Sequence, residues 1–352
     1  MGHFSKTGFL ISAAAFVVVV AGMQAAASLL VPFLLAAFIA IICLPPLNWL
    51  TKKRIPSGVA VCIIALSIVL GGLLIGAFVG SSIADFSHNL PTYQEHLKAL
   101  TGDTLNWLSS IGISISSQSV LDALDPSAAM GMAGKLLAGL GKALTNTFLI
   151  VLTVVFLLIE AAALPSKWKH MGHSAPSMQG FEQFLASVSS YFSIKTWISL
   201  VTGIFIAIWL AVIGVDYPLL WGLIAFLFNF VPNIGSIIAA VPAILLALVQ
   251  LGGGEALIAG LGYVIANVVM GNVVEPRFMG KGVGLSSLVV FLSLVFWGWV
   301  LGPVGMLLSV PLTMIVKLAL ESGQRTHWLS ILLGPDVPQK TAENIEPGGN
   351  RT

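Results

Sequence analysis

The sequence predicts an all-α integral membrane protein, a polytopic helical bundle with two broken, re-entrant hairpin segments in a C-terminal inverted repeat. Three observations carry this reading. Of 352 residues, 57% are hydrophobic and 9% charged, against about 25% charged in an ordinary soluble domain. The apolar residues fall in long uncharged runs, and a run of about 18 or more reads as a bilayer span. Two of the runs, 219–250 and 285–316, hold 32 residues each and are interrupted in the middle by proline and glycine.

The N-terminal part, 1–84, reads as a three-span bundle. Lys6, the apolar stretch 9–21 and the small residues 25–27 mimic a signal peptide. A cleaved leader should be followed by a polar chain, however, and 29–44 is apolar again. Spans are therefore expected at 9–27 and 28–44, joined by a tight turn, with Pro45 and Pro46 ending the second. Lys52, Lys53 and Arg54 form a cationic loop that marks the cytoplasmic side. The third span, 58–83, runs outward.

Residues 85–142 form an extracytoplasmic helical region, partly amphipathic and expected as short helices. Gly131, Gly134, Ala138 and Gly141 there supply small residues for close packing. Residues 143–196 hold the fourth span, 143–164, and a cytoplasmic amphipathic helix. Its apolar face is Phe181, Phe184, Leu185, Val188, Tyr191 and Phe192, and Lys195 is expected to snorkel to the interface. The segment 197–322 holds the transport repeats, and 323–352 a disordered cytoplasmic tail.

Each 32-residue run would be roughly 48 Å long as one helix, against a hydrocarbon core of about 30 Å. Pro232, Gly235 and Pro242 break the first, and Pro303, Gly305 and Pro311 the second; a valine precedes the last proline in both. The breaks lie about 70 residues apart, and an ordinary span precedes each run (197–214 and 255–272). Such a repeat is a transporter signature. If both runs crossed the bilayer, Arg277 and Lys281 would face outward, against the positive-inside preference. Hairpins place that loop inside and give the repeats opposite orientation. Both topologies leave the N- and C-termini cytoplasmic.

Broken helices at membrane depth leave backbone groups that protein, water or ligand must satisfy. The candidate substrate-binding residues are therefore Asn229, Pro232, Asn233 and Gly235 at the first break, Gly302, Pro303 and Gly305 at the second, and Asn267 and Asn272 on the helix between. Helix ends offer free N–H groups and carbonyls for a polar solute or a cation. The plainer reading is a proline kink whose asparagines bond the freed backbone. The candidates for gating or ion coupling are Asp216, Glu275, Arg277 and Lys281. Glu275 and Arg277 could form a gate pair or anchor the helix end. Asp216 could titrate or cap the helix at Pro218.

Other classes are set aside. A net charge of +2 with no basic stripe interleaved with aromatics excludes a nucleic-acid partner. Cys43 and Cys62 lie in apolar runs and suit buried thiols. The six histidines form no paired metal motif, and there is no phosphate-binding glycine loop, so neither cofactor nor catalysis is expected.

Three stretches carry a resemblance: NFVPNIGSIIAAVP at 229–242, GNVVEPRFMGKGVGL at 271–285 and FWGWVLGPVGMLLSVP at 296–311. They resemble motifs of the autoinducer-2 exporter family. The likeness implies a bacterial inner-membrane transporter that self-assembles as a homo-oligomer and exports a small hydroxyl-rich signal. Other members are similar to sodium–proton antiporters. Asn233 stands where many relatives carry an aromatic residue, and Lys281 where arginine is common. The expected function is secondary export of small polar metabolites, with protons or sodium as coupling ions. The alternatives are a sodium- or lithium–proton antiporter using Asp216 or Glu275, and a passive channel or structural oligomer. The lipid bilayer and a small polar substrate are the expected partners.

Overall fold

The computed structural model describes residues 6–110, 147–171, 179–232, 234–279, 284–323 and 326–334. These residues are helical, with no strand among them. The chain forms α1 (Lys6–Ala25), α2 (Ala27–Lys52), α3 (Ser57–Ser110), α4 (Thr147–Met171) and α5 (Gln179–Ile213). Then come α6 (Pro218–Phe228), α7 (Gly235–Gln250) and α8 (Gly253–Ala266), a π-helix (Asn267–Val274) and α9 (Glu275–Met279). Helix α10 (Ser287–Ser322), folded at Gly302, and α11 (His327–Leu332) complete the chain.

Helices α2, α3, α4, α5 and α8 with the π-helix supply stretches long and apolar enough to cross a membrane. Their outward faces agree: Phe148 is 80% and Val212 82% exposed. Apolar surface of that extent is stable only against lipid or another apolar body.

Both interrupted runs fold back on themselves. In hairpin 1 (α6 and α7) the tip holds Asn229, Phe230, Val231, Pro232 and Ile234. A Cβ on Gly235 would overlap the Phe228 carbonyl, so the arms close here only around glycine. At the base, Gln250 bonds Asp216 and Gly214, placing the end of the run beside its beginning. In hairpin 2 the chain reverses at Gly302 (φ 71°), a backbone conformation that glycine adopts without a steric penalty. The Trp297 indole N–H then donates to the Thr313 hydroxyl at 3.0 Å. Sixteen residues of straight helix would separate these side chains by roughly 24 Å, so the bond requires the fold-back.

Three apolar clusters organise the bundle. One joins α2, α3 and α4 around Ala36, Ala60, Val61, Val154 and Leu158. A second holds hairpin 1 with α3, α5 and α8, around Leu210, Trp221, Ile224 and Leu246. The third holds hairpin 2 with α1, α2 and the first half of α5, around Phe192, Trp297, Val300 and Leu308. Helix α5 thus serves both hairpins. Its contact with α6 is at backbone level: Cβ atoms on Gly203 and Gly222 would each meet the other's carbonyl oxygen, at 2.7 and 2.6 Å. Small residues permit this approach, as in membrane helix pairs generally.

Several expectations need correction. Pro45 and Pro46 do not end α2, which continues to Lys52. In an apolar medium, leaving the helix would free more backbone groups than the two prolines do. Helices α1 and α2 are parted at Ala26; α1 packs more on hairpin 2 than on α2, and α2 packs mainly on α4. Residues 85–110 are not short helices but continue α3 past Pro91. The amphipathic helix is not separate from the fifth span, since α5 runs through both. Cys62 is exposed on α3, and Cys43 is partly buried. The tail expected to be disordered from 323 carries α11 at His327–Leu332, with Ser330 buried and Leu333 packed on the hairpin 2 cluster; the small residues at 131–141 and residues 335–352 lie outside the described residues.

Candidate functional site

Helix α5 orders the site along its length. Counting back from its C-terminus, Ser199 meets the tip of hairpin 1, Lys195 lies one turn further, and Phe192, Tyr191 and Val188 join the hairpin 2 cluster. Phe230, in the tip of hairpin 1, packs against that same cluster. Lys195 therefore sits where the environments of the two hairpins meet.

Lys195 does not snorkel. Its side chain is 4% exposed, and Nζ donates to both carboxylate oxygens of Glu275 at 2.7 Å. The expected Glu275–Arg277 pair is not formed; Arg277 is exposed. Two residues apart on a helix, side chains point in different directions, whereas α5 crosses α9 and presents Lys195 directly to Glu275. A buried pair of this kind offsets its own desolvation only through close geometry, and removing one partner typically costs about 3–5 kcal/mol.

Asparagines secure the tip of hairpin 1. Asn229 Nδ2 donates to Ser199 Oγ at 2.9 Å, and Ser199 is fully buried. Ser236, in the first turn of α7, donates to Asn267 Oδ1 at 3.0 Å. This bond ties the hairpin to the start of the π-helix, whose other end leads into Glu275. Pro232 is partly buried at the tip, while Asn272 is exposed. At the second break Pro303 is exposed, Gly302 carries the reversal, and Gly305 packs where a side chain would overlap the Trp297 carbonyl. Asn233 and Lys281 lie outside the described residues.

Asp216 neither caps α6 nor lies near Lys195. The residue before α6 is Tyr217, in a left-handed conformation, followed by Pro218. Asp216 Oδ2 accepts from the Tyr93 hydroxyl at 2.7 Å, and Tyr217 accepts from Asn89 Nδ2 at 2.8 Å. The continuation of α3 is thereby latched to the base of hairpin 1. Burial, with the Asp216 bond second, pushes the Tyr93 hydroxyl above its ordinary value. Asp85, His88, Asn89, Asp216 and Tyr217 line a polar recess of about 320 Å³ there.

A second cleft, of about 400 Å³, lies between α5 and the π-helix and is lined by Ile194, Trp197, Val201, Met270, Val274 and Phe278. Its apolar lining suits an alkyl group and gives a polar solute nothing to bond. Among the described residues no group of three or more His, Cys, Asp or Glu could hold a metal ion.

Spans with lipid-facing apolar surfaces, two glycine- and proline-broken hairpins and a buried ion pair between their cores define a polytopic membrane transporter. The chain matches the AI-2E family transporter over residues 11–325 and belongs to that family. It is similar to the AI-2 transport protein TqsA of Escherichia coli, 42% identical over 90% of this chain and 92% of the relative. A putative transport protein of Haemophilus influenzae is 39% identical over 92% of this chain and 95% of its own length. The putative transport protein YhhT of Escherichia coli is 36% identical over 95% and 97%. Membrane transport of a small substrate is thus the activity of the class.

Proposed function

We propose that the chain is a secondary exporter of small polar metabolites, working by alternating access in a bacterial inner membrane, with autoinducer-2 the first substrate to test. The observation that carries this is the placement of Lys195–Glu275 between two helical hairpins with separate apolar cores. The two cores meet at Phe230, so one hairpin can move with most of the other's packing kept, which is what alternating access requires. The name of the Escherichia coli relative, an AI-2 transport protein, supports the choice of first substrate.

In this reading the hairpins enter from opposite faces, and both termini are cytoplasmic. The polar atoms at the hairpin 1 tip, with Asn229 and Asn267, bind the solute. The wide apolar outer surface supports association of several copies. A second reading, cation–proton antiport, is favoured by one observation: Glu275, directly after the apolar span that ends at Val274, is a carboxylate paired with the buried Lys195.

Uptake into inverted vesicles of a labelled panel, with and without a pH or sodium gradient, tests the proposal. Autoinducer-2 or a related polyol should accumulate in vesicles containing the protein and not in empty ones. Asn229→Ala should raise the half-saturating concentration several-fold, since a net hydrogen bond is worth about 0.5–1.5 kcal/mol. Equal uptake by empty vesicles across the panel would sink the exporter reading. Accumulation of sodium alone, exchanged for protons, would replace it with the second.

A further inference from the structure

We propose that Glu275 is the proton-carrying group of the transport cycle, that Lys195 is its fixed counter-charge, and that the π-helix transmits the exchange to hairpin 1. This rests on the transporter reading above and deepens it.

The two members of the pair differ in access. The Glu275 side chain is 22% exposed and that of Lys195 4%, so the carboxylate is the more open member of the pair. From α5, Lys195 and Tyr191 are the titratable groups that interact with Glu275. The π-helix carries none, and Arg277, on the same short helix as Glu275, points to the surface. A proton added to a Glu275 oxygen removes one negative charge, and Lys195 keeps its own proton. The ammonium is then buried beside a neutral acid, a state that low-dielectric surroundings disfavour. The protonated protein is driven toward a conformation in which Lys195 finds water or another acceptor. When the proton leaves to the opposite aqueous side, the pair re-forms. One proton crosses in each cycle, in the direction opposite to the solute.

The path to hairpin 1 is short. Glu275 follows directly on the π-helix, and the first residue of that helix, Asn267, accepts the Ser236 hydroxyl at the hairpin's first turn. A π-helix has weaker packing than an α-helix, and such segments occur often at functional sites. Conversion of this one toward α geometry would rotate Asn267 relative to Glu275. Release of Lys195 at one end then shifts the Ser236–Asn267 bond at the other.

The experiment uses the full chain in liposomes and two assays on the same vesicles. Counterflow at equal pH, with labelled autoinducer-2 and small polyols as probes, reads solute movement alone. Accumulation under an imposed pH gradient reads coupling. Glu275→Gln mimics the protonated acid, and the double variant Lys195→Gln with Glu275→Gln removes both charges at nearly constant volume. Glu275→Gln, which leaves the Lys195 ammonium unpaired, should lose both readouts, whereas the double variant should keep counterflow and lose gradient-driven accumulation. Gradient-driven accumulation equal to wild type in the double variant overturns the proposal, as does folded double variant without counterflow. Wild-type counterflow without any response to the gradient overturns it while leaving the exporter standing. Absent wild-type counterflow for every probe sinks both. Should neither variant fold, a hydrophobic carbodiimide, which reacts with protonated carboxyls, decides on the wild type. Glu275 should be modified more slowly as pH rises, with coupling lost in step; inhibition with Glu275 unmodified overturns the assignment.

Discussion

Gln250, the last residue of hairpin 1, holds Asp216, which stands two residues before its first. The Gln250 side-chain oxygen accepts the Asp216 backbone N–H at 2.9 Å, and its amide nitrogen donates to the Gly214 carbonyl at 3.2 Å. Both arms of the hairpin thus end at one place. Gln250→Leu removes both bonds and leaves the Asp216 N–H partly buried without its acceptor, which costs about 1–3 kcal/mol. The melting midpoint in detergent should fall by several degrees, and an unchanged midpoint would show that the buckle is dispensable.

Hairpin 2 is held across its arms by Trp297 and Thr313. Trp297→Phe leaves the buried Thr313 hydroxyl without its donor. Thr313→Val removes the hydroxyl at nearly constant shape. The single change at Trp297 should therefore destabilise more than the pair made together relative to Thr313→Val, with a coupling of about 0.5–1.5 kcal/mol in a double-mutant cycle. Strict additivity would mean that the bond contributes nothing.

The latch between α3 and the hairpin 1 base has a defined pH dependence. Tyr93 is raised from its ordinary 10.0 by burial and by its bond to Asp216. A raised folded-state value means that the protonated hydroxyl contributes stability below about pH 10, and that this is lost as pH rises above it. Wild type should be more stable than Tyr93→Phe by a constant margin at neutral pH, with the margin shrinking above about pH 10. A margin that grows with pH would contradict the assignment.

Topology can be read by thiol labelling in a background with Cys43 and Cys62 replaced. Single cysteines at Asn89 and Gly253, both exposed, should react with an impermeant reagent from outside. Cysteines at Ser287 and Glu321, at the open end of hairpin 2 and also exposed, should react only from the cytoplasm. Labelling of Ser287 and Gly253 from the same side would overturn the opposed orientation.

The sequence by itself determined the membrane class, the two broken runs and their turn residues. Hydropathy and the backbone limits of Pro232, Gly235, Gly302 and Pro303 are local properties, legible without neighbours. The resemblance carried by three short motifs was also legible, since it needs no coordinates. The tertiary structure decided which side chains meet. Lys195 and Glu275 are 80 residues apart, whereas Arg277 is two residues from Glu275 and the nearer partner in sequence. Gly203 and Gly222 gave no sign of a backbone contact until α5 and α6 crossed. Tyr93 lay in a polar stretch that only the long continuation of α3 brings to Asp216. Helix ends moved for the same reason: past Pro45 and Pro46 a local break is cheaper than leaving backbone groups unpaired in an apolar medium. Pairing across the bundle depends on the rotation and crossing of whole helices, and those are set by packing that no single segment contains.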